Sequence, residues 1–281
     1  MSDGTINRKY KDRLFIFIFG KEENKAWTLE LYNALNGSNY SDCNDIEIVT
    51  LEDVLYMGMK NDVSFIAYDS LNLYEEQSSF CPNMPVRSLM YLGRQYDKYI
   101  KQNKLNIYGE KQLKLPVPRL LTFYNGKKDL EDRILTLSDA FENDTDALKS
   151  DVEVRVHMLN INIGHNKELL NSCKPLMEYS WFIEEIRQYE KSMPLEAAID
   201  AALDSMPDIF KIKEYLEGNR AEVKSMCLTE YNEEEVIEMF KRDAREEGIK
   251  EGLKAGEAKR QKLLEENARL RAELAKITSS S

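Results

Sequence analysis

The chain has 281 residues, a formal net charge of −11 and a pI near 5.0. That acidity argues against a general nucleic-acid coat, whose non-specific affinity rests on Lys and Arg neutralising phosphates; it weakens the reading as an enzyme acting on nucleic acid without excluding it, because an enzyme that must release its substrate needs only a local basic rim. Hydrophobic residues make up 42%, enough for one large domain or two small ones with a real core.

The N-terminus, MSDGTINRKYKDR, has no apolar leader, and no stretch approaches the roughly 18 apolar residues of a membrane span. Tyr10 to Phe19 (YKDRLFIFIF) suits either a strand or a buried helical turn. Glu22 to Leu35 has amphipathic spacing (Trp27, Leu31, Leu35), and Asn36-Gly37 reads as its C-cap. Ile46 to Val49 and Val54 to Met59 are short strand-type runs. Asn61 to Gln77 reads as a β-hairpin turning at Asp69-Ser70. Pro85 suits the first turn of a helix from Met84 to Lys101. Arg119 to Tyr124 and Asp151 to Asn162 are further strands. Helices are expected over Lys167 to Tyr189, Leu195 to Leu203 and Ile209 to Cys227, followed by a long charged helix from Glu233.

The expected architecture is α/β: a mixed core over 1–165, a helical extension over 166–245, and a charged tail over 246–281. Within the tail, Leu263, Asn267, Leu270, Leu274 and Ile277 follow a heptad pattern that suits a homodimer through residues 260–278. A single solvated helix is the alternative. Cys43, Cys81, Cys173 and Cys227 form no CxxC pair and read as reduced thiols of a cytoplasmic protein. With only His157 and His165 available, a histidine-based zinc hydrolase is disfavoured.

The chemistry concentrates in the hairpin. With the expected turn, Asp62 lies opposite Gln77, and period-two alternation places Asp62, Glu75 and Gln77 on one sheet face with Glu76 on the other. Two carboxylates and an amide oxygen suit a hard cation such as Mg2+ or Mn2+, with the Glu76 backbone carbonyl as a further ligand. A turn acid and a solvated Glu-Glu patch would explain the same residues. Asp62, Glu75 and Gln77 are expected on one face with carboxylate oxygens close enough to bridge one ion, and a Glu75 side chain turned toward a packed helix would sink this site assignment.

Four segments, YKDRLFIFIFG at 10–20, YMGMKNDVSFI at 56–66, LYEEQSSFCPNMPVR at 73–87 and LNINIGHNKELL at 159–170, together resemble the PD-(D/E)xK nuclease family transposases, also called Rpn or recombination-promoting nucleases. The resemblance implies a restriction-endonuclease-like core over about residues 8 to 245 and Mg2+-dependent DNA cleavage. It also implies a role in recombination, mobile elements or phage defence. It assigns Asp62 as the motif aspartate and Glu75 as the second acid, with Gln77 where lysine is usual. Glutamine brings no positive charge to a developing phosphorane, so a catalytically weakened DNA-binding or protein-adaptor module is the alternative. Arg87, Tyr91 and Arg94, at helical spacing after the hairpin, are candidates to meet DNA, although ordinary salt-bridged arginines would look alike. Asp12 is an accessory candidate or simply a helix-start acid, and His165-Asn166 reads as a helix start.

Overall fold

A computed structural model describes residues 14–49, 63–142 and 150–228 continuously, and residues 245, 248, 249, 252, 253, 256, 257, 259, 260 and 263 singly. Asp12, Asp62, the run Val54 to Met59 and the heptad positions Asn267, Leu270, Leu274 and Ile277 lie outside the described residues.

The first apolar run is a helix, α1 (Leu14–Phe19), with five of its six residues buried. Aromatic and β-branched residues favour strands, but a helix closes its own backbone hydrogen bonds and can be apolar nearly all round when wrapped by other elements. After it, α2 (Lys25–Asn36) ends at Gly37, whose left-handed φ of 61° is the backbone state a glycine C-cap provides.

Next come β1 (Glu47–Ile48), β2 (Val63–Ala67), β3 (Ser70–Gln77), α3 (Met84–Gln102), β4 (Val117–Tyr124), β5 (Arg133–Thr136) and β6 (Arg155–Asn160). They form one mixed sheet in the order β1-β2-β3-β4-β6-β5. The pairs β3–β4 and β4–β6 are parallel, and the other three are antiparallel. The α/β expectation therefore holds at the level of class. β5 was not anticipated. It is a four-residue edge strand with Arg133 and Ile134 exposed, so it carries little alternation to read.

The β2–β3 hairpin turns at Tyr68-Asp69, one residue earlier than expected. Both residues have positive φ, 47° and 62°, as a two-residue hairpin turn of the primed type requires. Tyr68 stacks on Tyr40 with ring centroids 3.5 Å apart, which draws it out of the strand. Ser70 stays in the strand, and its hydroxyl donates to the Ala67 carbonyl at 2.7 Å. Ala67 faces Ser70 and Val63 faces Tyr74. The register moves by two residues from the expected one, so every side chain keeps its face.

Each face of the sheet is covered. On one, Leu71 and Leu73 of β3, Leu120 and Tyr124 of β4, and Val156 and Met158 of β6 share a core with Met84 and Tyr91 of α3. On the other, Phe65, Tyr74 and Phe123 meet edge to face across three strands, with centroids 5.1 and 5.7 Å apart. Phe123 continues to Phe15 of α1, and Phe15 to Tyr179 of a C-terminal helix.

The C-terminal helices are α4 (Lys167–Ser172), α5 (Lys174–Glu190), α6 (Leu195–Ser205) and α7 (Lys213–Gly218), and residues 220–228 are helical. The single helix expected over Lys167 to Tyr189 breaks at Cys173, which is extended. Pro175 has no N–H to continue the ladder and instead starts a new first turn. The Lys174 N–H at that start donates to Glu30 of α2 at 2.9 Å. Burial pushes the Cys173 thiol up to about 12, so it stays protonated. All four cysteines are free. These helices and the sheet belong to one compact unit, Met1–Glu230, and Tyr231–Ser281 is a second unit. Among the described residues no helix is long and apolar enough to cross a membrane.

Phe123 is fully buried between Tyr74 and Phe15. Phe123→Ala should cost about 3–5 kcal/mol, read as a lower urea midpoint with an unchanged denaturant slope.

Candidate functional site

β3 lies inside the sheet and is buried from Leu71 to Gln77. Its last three residues, Glu75, Glu76 and Gln77, are therefore polar groups in the interior, at 2%, 5% and 6% exposure. Such groups are retained only when other groups compensate their lost hydration.

Glu75 and Gln77 project on the α3 face. The Arg87 Nη2 donates to Glu75 Oε2 at 3.0 Å. The Gln77 Nε2 donates to the Met84 sulfur at 2.6 Å. Alternation turns the Glu76 side chain to the opposite face. The Gln77 carbonyl accepts from Asn125 N on the β4 side at 3.0 Å, so the Glu76 carbonyl is aimed at the β2 side.

Glu75 does turn toward a packed helix, the outcome that counts against the metal site. What it meets there is charge. The Arg87 side chain is about one-third exposed (34%), and its guanidinium is steered by Tyr91, whose hydroxyl accepts from Nε at 3.3 Å and from Nη2 at 3.2 Å. The same guanidinium lies 5.7 Å from the centre of the Tyr91 ring, a cation–π distance. The helical stripe thus brings Arg87 and Tyr91 to Glu75. Arg94, two turns from Arg87 along α3, has a buried Nη1 with no hydrogen-bond partner.

Two buried oxygens beside Glu75 also have no partner, Gln77 Oε1 and Thr122 Oγ1. Thr122 sits directly opposite Glu75 in the β3–β4 register and is fully buried. Parallel neighbours share a face, so Glu75, Gln77 and Thr122 form one polar patch within an otherwise apolar core. The sequence signal for Thr122 was available: it is the lone aliphatic hydroxyl in the run RLLTFY. Among the described residues no cluster of three or more His, Cys, Asp or Glu could hold a metal ion. Of the proposed ligands, Glu75 and Glu76 are described; Asp62 is the residue that precedes β2. Within the described part the donors toward a cation are oxygens, which suits Mg2+ or Mn2+.

The carboxyl ends of the parallel strands are tied down by a second polar group that sequence reasoning missed. Arg187 of α5 donates from Nη2 to the Asn125 carbonyl and to Asn125 Oδ1, the latter at 2.9 Å. Its Nη1 donates to Asn162 Oδ1 at 2.9 Å. The Asn162 amide donates to the Gly126 carbonyl at 3.1 Å and to Asn160 Oδ1 at 2.8 Å. Gly126 must be glycine: an added Cβ would overlap the Ser78 carbonyl oxygen and the Tyr124 ring. His165 is not idle at its helix start, because its Nε2 lies 3.0 Å from Asp129 Oδ1. Asn166 has a left-handed φ of 40° and makes no side-chain cap. Its amide donates instead to Asp132 and to the Asn160 carbonyl.

Compared with known proteins, the chain matches no family model, no curated protein and no solved structure.

Arg87→Ala removes the guanidinium from a buried carboxylate. It should cost about 1–3 kcal/mol in chemical unfolding, with the exposed side of Arg87 keeping the cost in that range. Glu75→Gln in the Arg87→Ala background should recover part of it. Equal effects of Glu75→Gln in both backgrounds would show that the two residues are not coupled.

Proposed function

We propose that this chain is a metal-dependent DNA endonuclease with a restriction-endonuclease-like core, hydrolysing phosphodiesters in recombination or mobile-element biology. The observation that carries the reading is the buried polar patch. Glu75 is held at the end of a central strand with two unpartnered oxygens, Gln77 Oε1 and Thr122 Oγ1, beside it. Orphaned buried acceptors mark a place that a cation or an ordered water completes. The order of elements, an antiparallel hairpin joined through α3 to a parallel β4, supports the fold assignment.

In this reading Asp62, Glu75 and the Glu76 carbonyl hold Mg2+ or Mn2+, which when bound supplies Lewis acidity toward a phosphoryl oxygen and toward water. Gln77 Oε1 accepts a hydrogen bond from the attacking water and orients it. Arg87 brings to the scissile phosphate the positive charge that Gln77 lacks, and Tyr91 fixes the plane of its guanidinium. Arg94 meets the backbone further along α3. Asp12 stands as an accessory acid.

The second reading is a nuclease-like fold with weakened catalysis that acts as a DNA-binding or protein adaptor. The Glu75–Arg87 pair favours it, because a cation must compete with a guanidinium already at the carboxylate.

Supercoiled plasmid with Mg2+ or Mn2+ separates the two. Nicking by the wild type, reduced at least about 100-fold in Asp62→Ala and Glu75→Ala, is expected of the enzyme. DNA retention without nicking at any metal concentration would support the adaptor and sink the enzyme reading.

The free cysteines suit a reducing cytoplasm. The tail over 260–278 is proposed as a homodimer contact, with Asn267 favouring two strands. Leu270→Lys with Leu274→Lys should then convert a dimer to a monomer in sedimentation equilibrium. A wild type that is already monomeric would rule this contact out.

A further inference from the structure

The carboxyl ends of β4 and β6 open onto a cavity of about 460 Å3 that the catalytic patch does not use. Arg187 and Asn162 line it, and their bonds to the Asn125 and Gly126 carbonyls fix them in place. Its rim carries Lys127, Lys128 and Lys191, all exposed. Counting Arg187, four cations face three carboxylates, Asp129, Glu184 and Glu190. Two of those carboxylates are engaged: Asp129 lies against His165, and Glu184 accepts from Gln188. A local positive excess in a chain of net charge −11 is a departure from the overall balance. Crevices outside the carboxyl ends of parallel strands are where open α/β sheets bind ligands.

The cavity also adjoins the polar patch. Gly126, which lines it, is packed against the Ser78 carbonyl, one residue after Gln77. Asn125 N is bonded to the Gln77 carbonyl at 3.0 Å. Lys127 and Lys128 follow Gly126 directly in the chain, and Lys191 is the residue after the last turn of α5.

We propose that this cavity is a second phosphate-binding site, which takes the sugar–phosphate backbone of the nucleic-acid strand flanking the reacting phosphate, with Lys127, Lys128 and Lys191 meeting its phosphates. The proposal rests on the nuclease reading of the adjacent patch. The Asn–Arg group positions the lysine-bearing loop, and the lysines contribute charge without reading bases.

The test uses the full chain and a fluorescein-labelled DNA of about 20 nucleotides, single-stranded and as a duplex, without divalent metal, over a salt series. Removing a lysine that neutralises one phosphate reduces the log–log salt slope by about one. Lys127→Ala/Lys128→Ala/Lys191→Ala should reduce the slope by about 2–3 and weaken binding at least about tenfold at low salt. Its unfolding midpoint should not change, since the three residues are exposed. Wild-type binding with an unchanged slope in the triple variant would overturn the second site, and if plasmid nicking persisted, the nuclease reading would survive. Competition by inorganic phosphate or free nucleotide that spares the DNA slope would assign the cavity to a small anion and overturn the strand proposal. A wild type that neither binds nor nicks DNA would overturn both.

Discussion

The arrangement depends on one constraint: β3 is buried on both faces to its last residue, and that last stretch is Glu75-Glu76-Gln77. Two acids and an amide in the interior carry a desolvation cost of several kcal/mol before any partner is counted. An ordinary core strand would end in valine or isoleucine here. Arg87 is the nearest answer to that cost on the α3 face, and it is itself an unusual helix residue. It lies between Glu75 and the Tyr91 hydroxyl with about a third of its side chain exposed. A pair built this way gives a buried acid a cationic partner. Plain stabilisation would be better served by an apolar replacement of both residues.

The second demand is that the end of β3 stay in place. Among the described residues β4 pairs with it through Gln77, and the Asn125 N–H continues the ladder by one step. Asn125 is in turn held by Arg187, Asn162 by the same guanidinium, and Gly126 by its contact with Ser78. The loop chemistry after β4 and β6 therefore acts on the polar patch through the backbone. α5 contributes twice: Tyr179 anchors the aromatic face, and Arg187, two turns on, anchors the strand ends. This double role explains why the C-terminal helices share a compact unit with the sheet.

Much of this was legible in the residues, for reasons that differ by element. Hairpin parity survived an error in the turn because side-chain direction has period two, so a shift of two residues is silent. The turn itself was missed because Tyr68 leaves the strand for a stack on Tyr40, a contact between segments distant in sequence. LFIFIF was ambiguous because a fully wrapped run has no polar face to set its period. The Pro175 break was readable from the proline alone. The helical stripe Arg87, Tyr91 and Arg94 was correctly periodic, yet spacing could not tell which acid Arg87 meets. Thr122 and the Asn–Arg lattice were hidden because each draws its meaning from neighbours on other strands and helices.

The glutamine at 77 fits this picture better than a simple loss of lysine. A lysine there would put a second cation on the same pleated face as Arg87, two residues from the carboxylate they would share. Like charges in a desolvated patch oppose one another strongly. A neutral amide avoids that conflict and presents an oxygen, which attracts the opposite sign. Arg87 thus supplies a fixed positive charge and Gln77 a buried acceptor oxygen within one patch. The positive charge beside Glu75 comes from the helix that packs on the strand end, which ties the surroundings of Glu75 to how α3 sits on the sheet.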